Sequence, residues 1–178
     1  MPLHLDGLHH ITLNGADRAT SLAFWRDVMG MPFVFEQPNL DDLSINHLYF
    51  DPGDGRLITI FTSEDRAAGD HTSGFDPGSV HHIAFTVSPI RFQDTLKRLR
   101  ERKFAVAVRD RGFMNSLYFR EPLGHVMEIA AYKFDPPEGR THTEVLALAY
   151  QKRLARGAIS IEDQDWQAAL EEFDQIKS

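Results

Sequence analysis

HLYFDPGDGRLITIF, residues 47–61, and SLYFREPLGHVMEIA, residues 116–130, are two versions of one text. Each opens on an L-Y-F strand, passes through a Pro/Gly turn and closes on an apolar strand. A second echo lies upstream of each: LHHITL at 8–13 and VHHIAF at 80–85. Between echo and strand pair sits a helix signal. In NGADRATSLAFWRDVMG (14–30), Asp17 is the N-cap, Leu22, Trp25 and Met29 recur at helical spacing, and Gly30 is the stop. In SPIRFQDTLKRLRERK (88–103), Ser88 caps, Pro89 opens the first turn, and Phe92, Leu96 and Leu99 share a face. PFVFEQ (32–37) and FAVAVRD (104–110) supply the remaining strand of each half.

Each half therefore reads strand, helix, strand, strand, strand. The expected fold class is α+β, two tandem βαβββ modules at 6–62 and 80–132 with a linker at 63–79. Together they form a domain over 1–135. A helical extension, 136–178, lies outside the repeat, with helices expected near 143–156 and 162–173. Val145, Leu148 and Ala149 face inward in the first of these, and the extension reads as a packing or dimerisation element.

Composition bounds the function. The 178 residues are 42% hydrophobic and 25% charged, as in ordinary globular proteins. A net charge of −7 argues against nucleic-acid binding, which needs a basic stripe to neutralise phosphates. No apolar run reaches the roughly 20 residues that span a bilayer, and the first residues lack a signal-peptide pattern. The expected location is cytoplasmic. The chain has no cysteine, so any metal must be held by histidine and carboxylate.

The paired histidines raise that possibility. Side chains alternate across a strand, so His10 shares a face with Thr12 and Asn14, and His82 with Ala84 and Thr86. His9 and His81 fall on the apolar side. His10 and His82 are thus equivalent positions in equivalent halves. On the last strand Glu128 interrupts the apolar run HVMEIAA (125–131), where a carboxylate is costly unless paired or bound to a metal. The repeat sets Thr59 at the corresponding point of the first half. His10, His82 and Glu128 are the expected ligands, and two imidazoles with one carboxylate is the donor set of non-haem Fe(II) oxygenases. Fe(II) is the expected cofactor, and Mn(II) suits the same ligands.

These motifs resemble the vicinal oxygen chelate superfamily, the glyoxalase, bleomycin-resistance and extradiol dioxygenase group, over 8–132. The resemblance implies a pair of half-barrels with ligands at His10, His82 and Glu128. RGFMNSLYFREPLGHVMEIA (111–130) is similar to the last module of ring-cleaving dioxygenases acting on hydroquinones, and LHHITL and HLYF to their first. Those enzymes usually carry four modules; this chain has two. The resemblance implies catalytic roles for Tyr118, which would bond a substrate hydroxyl, for Arg111 in the pocket, and for His81 and His47 near the substrate. It implies a small aromatic substrate and O2 as partners. A homodimer is an open arrangement, with the halves pairing within one chain or across two. The alternatives are a lyase, isomerase or thiol transferase of the same superfamily, or a metal-free binding and resistance protein. Thr59 counts against a four-ligand isomerase. His4, His71, His125 and His142 read as solvated, and KRLRERK (97–103) as the wet face of the second helix.

Overall fold

The computed structural model describes residues 4–69 and 76–176. Its chain forms two compact units: Met1–His82 with Arg120–Val126, and Ile83–Phe119 with Met127–Ser178.

The first unit carries a four-stranded sheet in the order β1-β4-β3-β2, from β1 (His10–Asn14), β2 (Phe33–Asn39), β3 (Asp42–Phe50) and β4 (Leu57–Thr62). β1 runs parallel to β4, and the other pairs are antiparallel. A parallel neighbour needs a crossover, and helix α1 (Arg18–Leu22) provides it, started by Asp17, whose carboxylate accepts from Thr20 N at 2.8 Å. The helix continues as a π-helical segment, Ala23–Val28, in which Met29 N bonds Phe24 O at 2.9 Å. The wider turn buries two adjacent rings, Phe24 and Trp25. Trp25 meets Phe50 with ring centroids 6.4 Å apart. The helix therefore covers the sheet face that carries Leu13, Leu48, Phe50, Ile58 and Ile60, all buried. Gly15 is required by this packing, since a Cβ there would lie 2.2 Å from Ile60 Cγ2. The 120–126 turn belongs to this unit: His125 Nε2 lies 3.1 Å from Asn14 O, and Glu121 Oε1 accepts from Leu123 N and His125 N.

The second unit repeats the plan with β5 (Ile83–Thr86), α2 (Pro89–Glu101), β6 (Ala107–Asp110), β7 (Met114–Arg120) and β8 (Val126–Tyr132), in the sheet order β5-β8-β7-β6. Ser88 caps α2, accepting from Arg91 N, and Phe92 and Leu99 are buried. The basic run lies exposed on its outer side, with Arg98 paired to Asp94 at 2.7 Å.

The extension adds α3 (His142–Ala155) and α4 (Asp163–Ile176) to the second unit. Thr141 and Glu144 form a reciprocal capping box at the start of α3. Val145, Ala149, Ala169 and Phe134 make a small core, with Phe113, Tyr132 and Trp166 packed against it. Asp165, 1% exposed, receives two bonds from the Arg156 guanidinium, at 2.9 and 2.8 Å. Gly112, at φ +82, lets this layer approach: a Cβ there would lie 2.1 Å from Ile161 O. Among the described residues no helix is long and apolar enough to cross a membrane.

Candidate metal centre

His10 opens β1 and faces away from α1, as alternation predicts. Two residues on, Thr12 is paired with Thr59 across the parallel ladder, their hydroxyls 2.8 Å apart. Thr59 is in turn opposite Tyr49, and Phe61 opposite His47. This face of the first sheet thus gathers His10, Thr12, Thr59, Tyr49, His47 and Phe61.

His47 Nδ1 lies 2.8 Å from the Tyr49 hydroxyl. Burial, and secondarily the positive charge of His10, push the His47 imidazole below its ordinary pKa. Tyr49 was not among the residues singled out by sequence, although it is the counterpart of Tyr118 in the repeated L-Y-F.

In the second unit the same rule puts Ala84 opposite Glu128. Ala84 stands two residues after His82, as Thr12 stands two after His10, so Thr59 and Glu128 occupy twin positions, as the repeat predicts. Glu128 is 2% exposed on a strand flanked by Met127 and Ile129. Arg111 donates from Nη2 to the Tyr118 hydroxyl at 3.2 Å, and its guanidinium stands 5.5 Å from that ring's centroid. The bond to Tyr118, with a smaller contribution from the charge of Glu128, raises Arg111 above its ordinary pKa.

The two histidine pairs share one geometry. Nδ1 of His9 and of His10 are 2.8 Å apart with the rings at 81°, and Nδ1 of His81 and of His82 are 2.8 Å apart with the rings at 83°. In each pair one imidazole donates and the other accepts. A neighbour that engages Nδ1 fixes the orientation of the ring, as partners of metal-bound histidines do.

The structure brings Arg111 to Tyr118, His81 to His82, and His47 into the electrostatic range of His10. Among the described residues, no three His, Asp or Glu side chains of the one chain form a group that could hold a metal ion. The donor chemistry itself fits: two exposed imidazoles in twin positions and a carboxylate in an apolar strand. Two other histidines depart from the solvated reading. His142 stacks on Tyr132 with centroids 3.9 Å apart, because it opens α3 against the end of β8. His125 is half-buried and engages the Asn14 carbonyl. His71 lies outside the described residues.

Comparison with known proteins agrees with this architecture. Metallothiol transferase FosB of Staphylococcus haemolyticus is 29% identical over 128 residues, covering 70% of this chain and 83% of FosB. MhqE of Bacillus subtilis, a candidate ring-cleaving dioxygenase, is 37% identical over 57 residues, 32% of this chain and 19% of MhqE. A solved candidate dioxygenase from Bacillus subtilis superposes with a TM-score of 0.61 at 26% identity, over 70% of this chain and 40% of that one. The chain therefore spans at most 40% of the length of either Bacillus protein. A fosfomycin-resistance protein, FosX of Listeria monocytogenes, solved with Mn(II), shares the fold at a TM-score of 0.54 and 20% identity, over 71% of this chain and 92% of FosX. The family model for the Glyoxalase/Bleomycin resistance protein/Dioxygenase superfamily matches residues 7–129, and the chain, two βαβββ modules with C-terminal helices, belongs to that superfamily.

Proposed function

We propose that this protein is a metal-dependent dioxygenase that opens a dihydroxylated aromatic ring, with Fe(II) held by His10, His82 and Glu128. The proposed ion draws its ligands from two copies of the chain: His10 from one, His82 and Glu128 from the other. Glu128 and Ala84, two residues beyond His82, share one ladder, which supports drawing His82 and Glu128 from the same copy.

The observation that carries the reading is the Arg111–Tyr118 pair, whose guanidinium also senses the charge of buried Glu128. A bound metal ion supplies a positive charge that eases deprotonation of a substrate hydroxyl, and an open position for a second ligand. Tyr118 would then hold the oxygen of that hydroxyl, and Arg111 would keep the Tyr118 hydroxyl aimed and add positive charge beside the anionic substrate. His47 would meet the ring's other oxygen, and His81 would steady the His82 imidazole. The test is to load metal-free protein with Fe(II) under argon, add hydroquinones and catechols, admit O2 and follow its uptake. Iron-loaded protein that consumes no O2 across the panel would remove the proposal.

The similarity to the metallothiol transferase FosB over 128 residues favours a second reading, metal-dependent thiol transfer. Fosfomycin is the acceptor to try, because the FosX neighbour is named for resistance to it. Loss of fosfomycin and thiol in the presence of Mn(II), under argon, would select it.

A further inference from the structure

Four rings stand in a row across the first sheet, on the face turned away from α1. Phe35 stacks on Tyr49 with centroids 4.0 Å apart at 14°, Tyr49 meets His47 at 4.2 Å, and His47 meets Phe61 at 4.4 Å. The register explains the row, since Phe35 pairs with Tyr49 and His47 with Phe61. The fold does not demand it. In the sister sheet Ala107 stands opposite Tyr118, and the repeat sets Ser116 and Ala130 where the first module has His47 and Phe61. Nor does the row belong to the helix-covered core, for Phe35 is 42% exposed.

Within the row the polar atoms are unevenly served. The Tyr49 hydroxyl engages His47 Nδ1. The contact allows either group to donate; a phenol is far more acidic than a neutral imidazole N–H, which makes the arrangement with the hydroxyl donating and Nδ1 accepting the stronger one. The imidazole proton then sits on Nε2. That atom is buried and meets no hydrogen-bond partner among the described residues. A buried donor without an acceptor is costly, and buried polar groups in native proteins find partners.

We infer that Tyr49 is a positioning residue that locks His47 with its proton on Nε2, making His47 a fixed hydrogen-bond donor to an oxygen of the bound ligand. Phe35 and Phe61 close the two ends of the row, and the ligand oxygen meets His47 between them. The inference rests on the proposed ring-cleaving reading for the identity of that ligand, a hydroquinone. It assigns His47 the part of donor, where an imidazole free to turn would also serve as base.

Two measurements test it. Long-range 1H–15N correlation of the imidazoles should show wild-type His47 protonated at Nε2 and His47 of Tyr49→Phe as a mixture of tautomers, with the fold intact by amide spectra. Anaerobic titration of Mn(II)-loaded protein with hydroquinone should weaken about tenfold in His47→Leu, the worth of one hydrogen bond, and recover in His47→Gln, whose amide can donate. Tyr49→Phe should lose about threefold, because only the fixed tautomer is lost. A proton on Nδ1 in wild type, or undiminished hydroquinone binding by His47→Leu, overturns the inference. If wild type takes no hydroquinone but binds fosfomycin with the same dependence on His47, the donor stands and the ring-cleaving reading falls.

Discussion

Glu128 stands directly across the parallel β5/β8 ladder from Ala84, in the place that Thr59 takes opposite Thr12 in the β1/β4 ladder. The two sheets are built alike, and here the hydroxyl pair of Thr12 and Thr59 is replaced by Ala84 and the Glu128 carboxylate. If Glu128 is a ligand, its removal must be felt by the metal while its twin's removal is not. Glu128→Gln should weaken Mn(II) or Fe(II) binding by roughly 100-fold or more, read by calorimetric titration. Thr59→Val breaks only the buried hydroxyl pair and should cost about 1 kcal/mol in urea unfolding, leaving metal affinity intact. Equal metal binding by Glu128→Gln and wild type would end the assignment.

Arg111 and Tyr118 act after the metal is bound, so their removal should separate binding from turnover. Tyr118→Phe deletes the hydroxyl that Arg111 bonds. Arg111→Lys keeps a charge but loses the planar guanidinium that lies over the ring. Each should lower kcat for O2 uptake by about 100-fold, the usual effect of one positioned donor, with metal content equal to wild type by elemental analysis. A fall in metal content of the same size would mean that the pair serves the ion's site and not the substrate.

This division was partly legible in the sequence. The repeated text yields the order of strands and helices in both halves, and its alignment makes Thr59 the twin of Glu128, which the ladders bear out. Asp17, Ser88 and the core positions Phe92 and Val145 follow from capping chemistry and helical spacing. What did not follow depends on contacts between distant strands. The row of Phe35, Tyr49, His47 and Phe61 needs the register of three strands, which no local pattern supplies. The π-helical segment after Leu22 preserves the apolar recurrence that an α-helix would show, so Phe24 and Trp25 are buried side by side without a distinct signal. His142 read as a loop histidine because its partner, Tyr132, lies on another element.

The helical extension has its own electrostatic lock. Asp165 is buried, and the bidentate bond from Arg156, more than any other contact, holds its carboxyl below the ordinary value of 3.8. A lowered carboxylate pKa means that the folded state binds its proton less readily than the unfolded chain. The stabilisation is complete above the ordinary value and disappears as pH falls below it, through the folded pKa. Acid titration of Trp166 fluorescence in a Trp25→Phe background should therefore show the α3/α4 layer loosening below about pH 4. Asp165→Asn should unfold at lower urea at pH 7 and lose most of the difference between pH 7 and pH 3. A variant that kept the full acid sensitivity would place its source elsewhere.

The last prediction concerns where the three ligands come from. His10→Ala and Glu128→Gln should each bind no more than a small fraction of the wild-type metal. When the two variants are unfolded together and refolded as an equal mixture, symmetric pairing makes about half of the dimers mixed. Each mixed dimer contains one complete set, His10 from the Glu128→Gln chain with His82 and Glu128 from the His10→Ala chain, and one doubly defective set. Metal content should thus recover to about a quarter of wild type, and hydroquinone-dependent O2 uptake with it. A site built within one chain gives no recovery, because neither variant then holds a complete set. The same mixture made with His82→Ala in place of His10→Ala is the control: whichever chain contributes the His82 and Glu128 half of a site then lacks one of the two, and every mixed dimer should remain without metal.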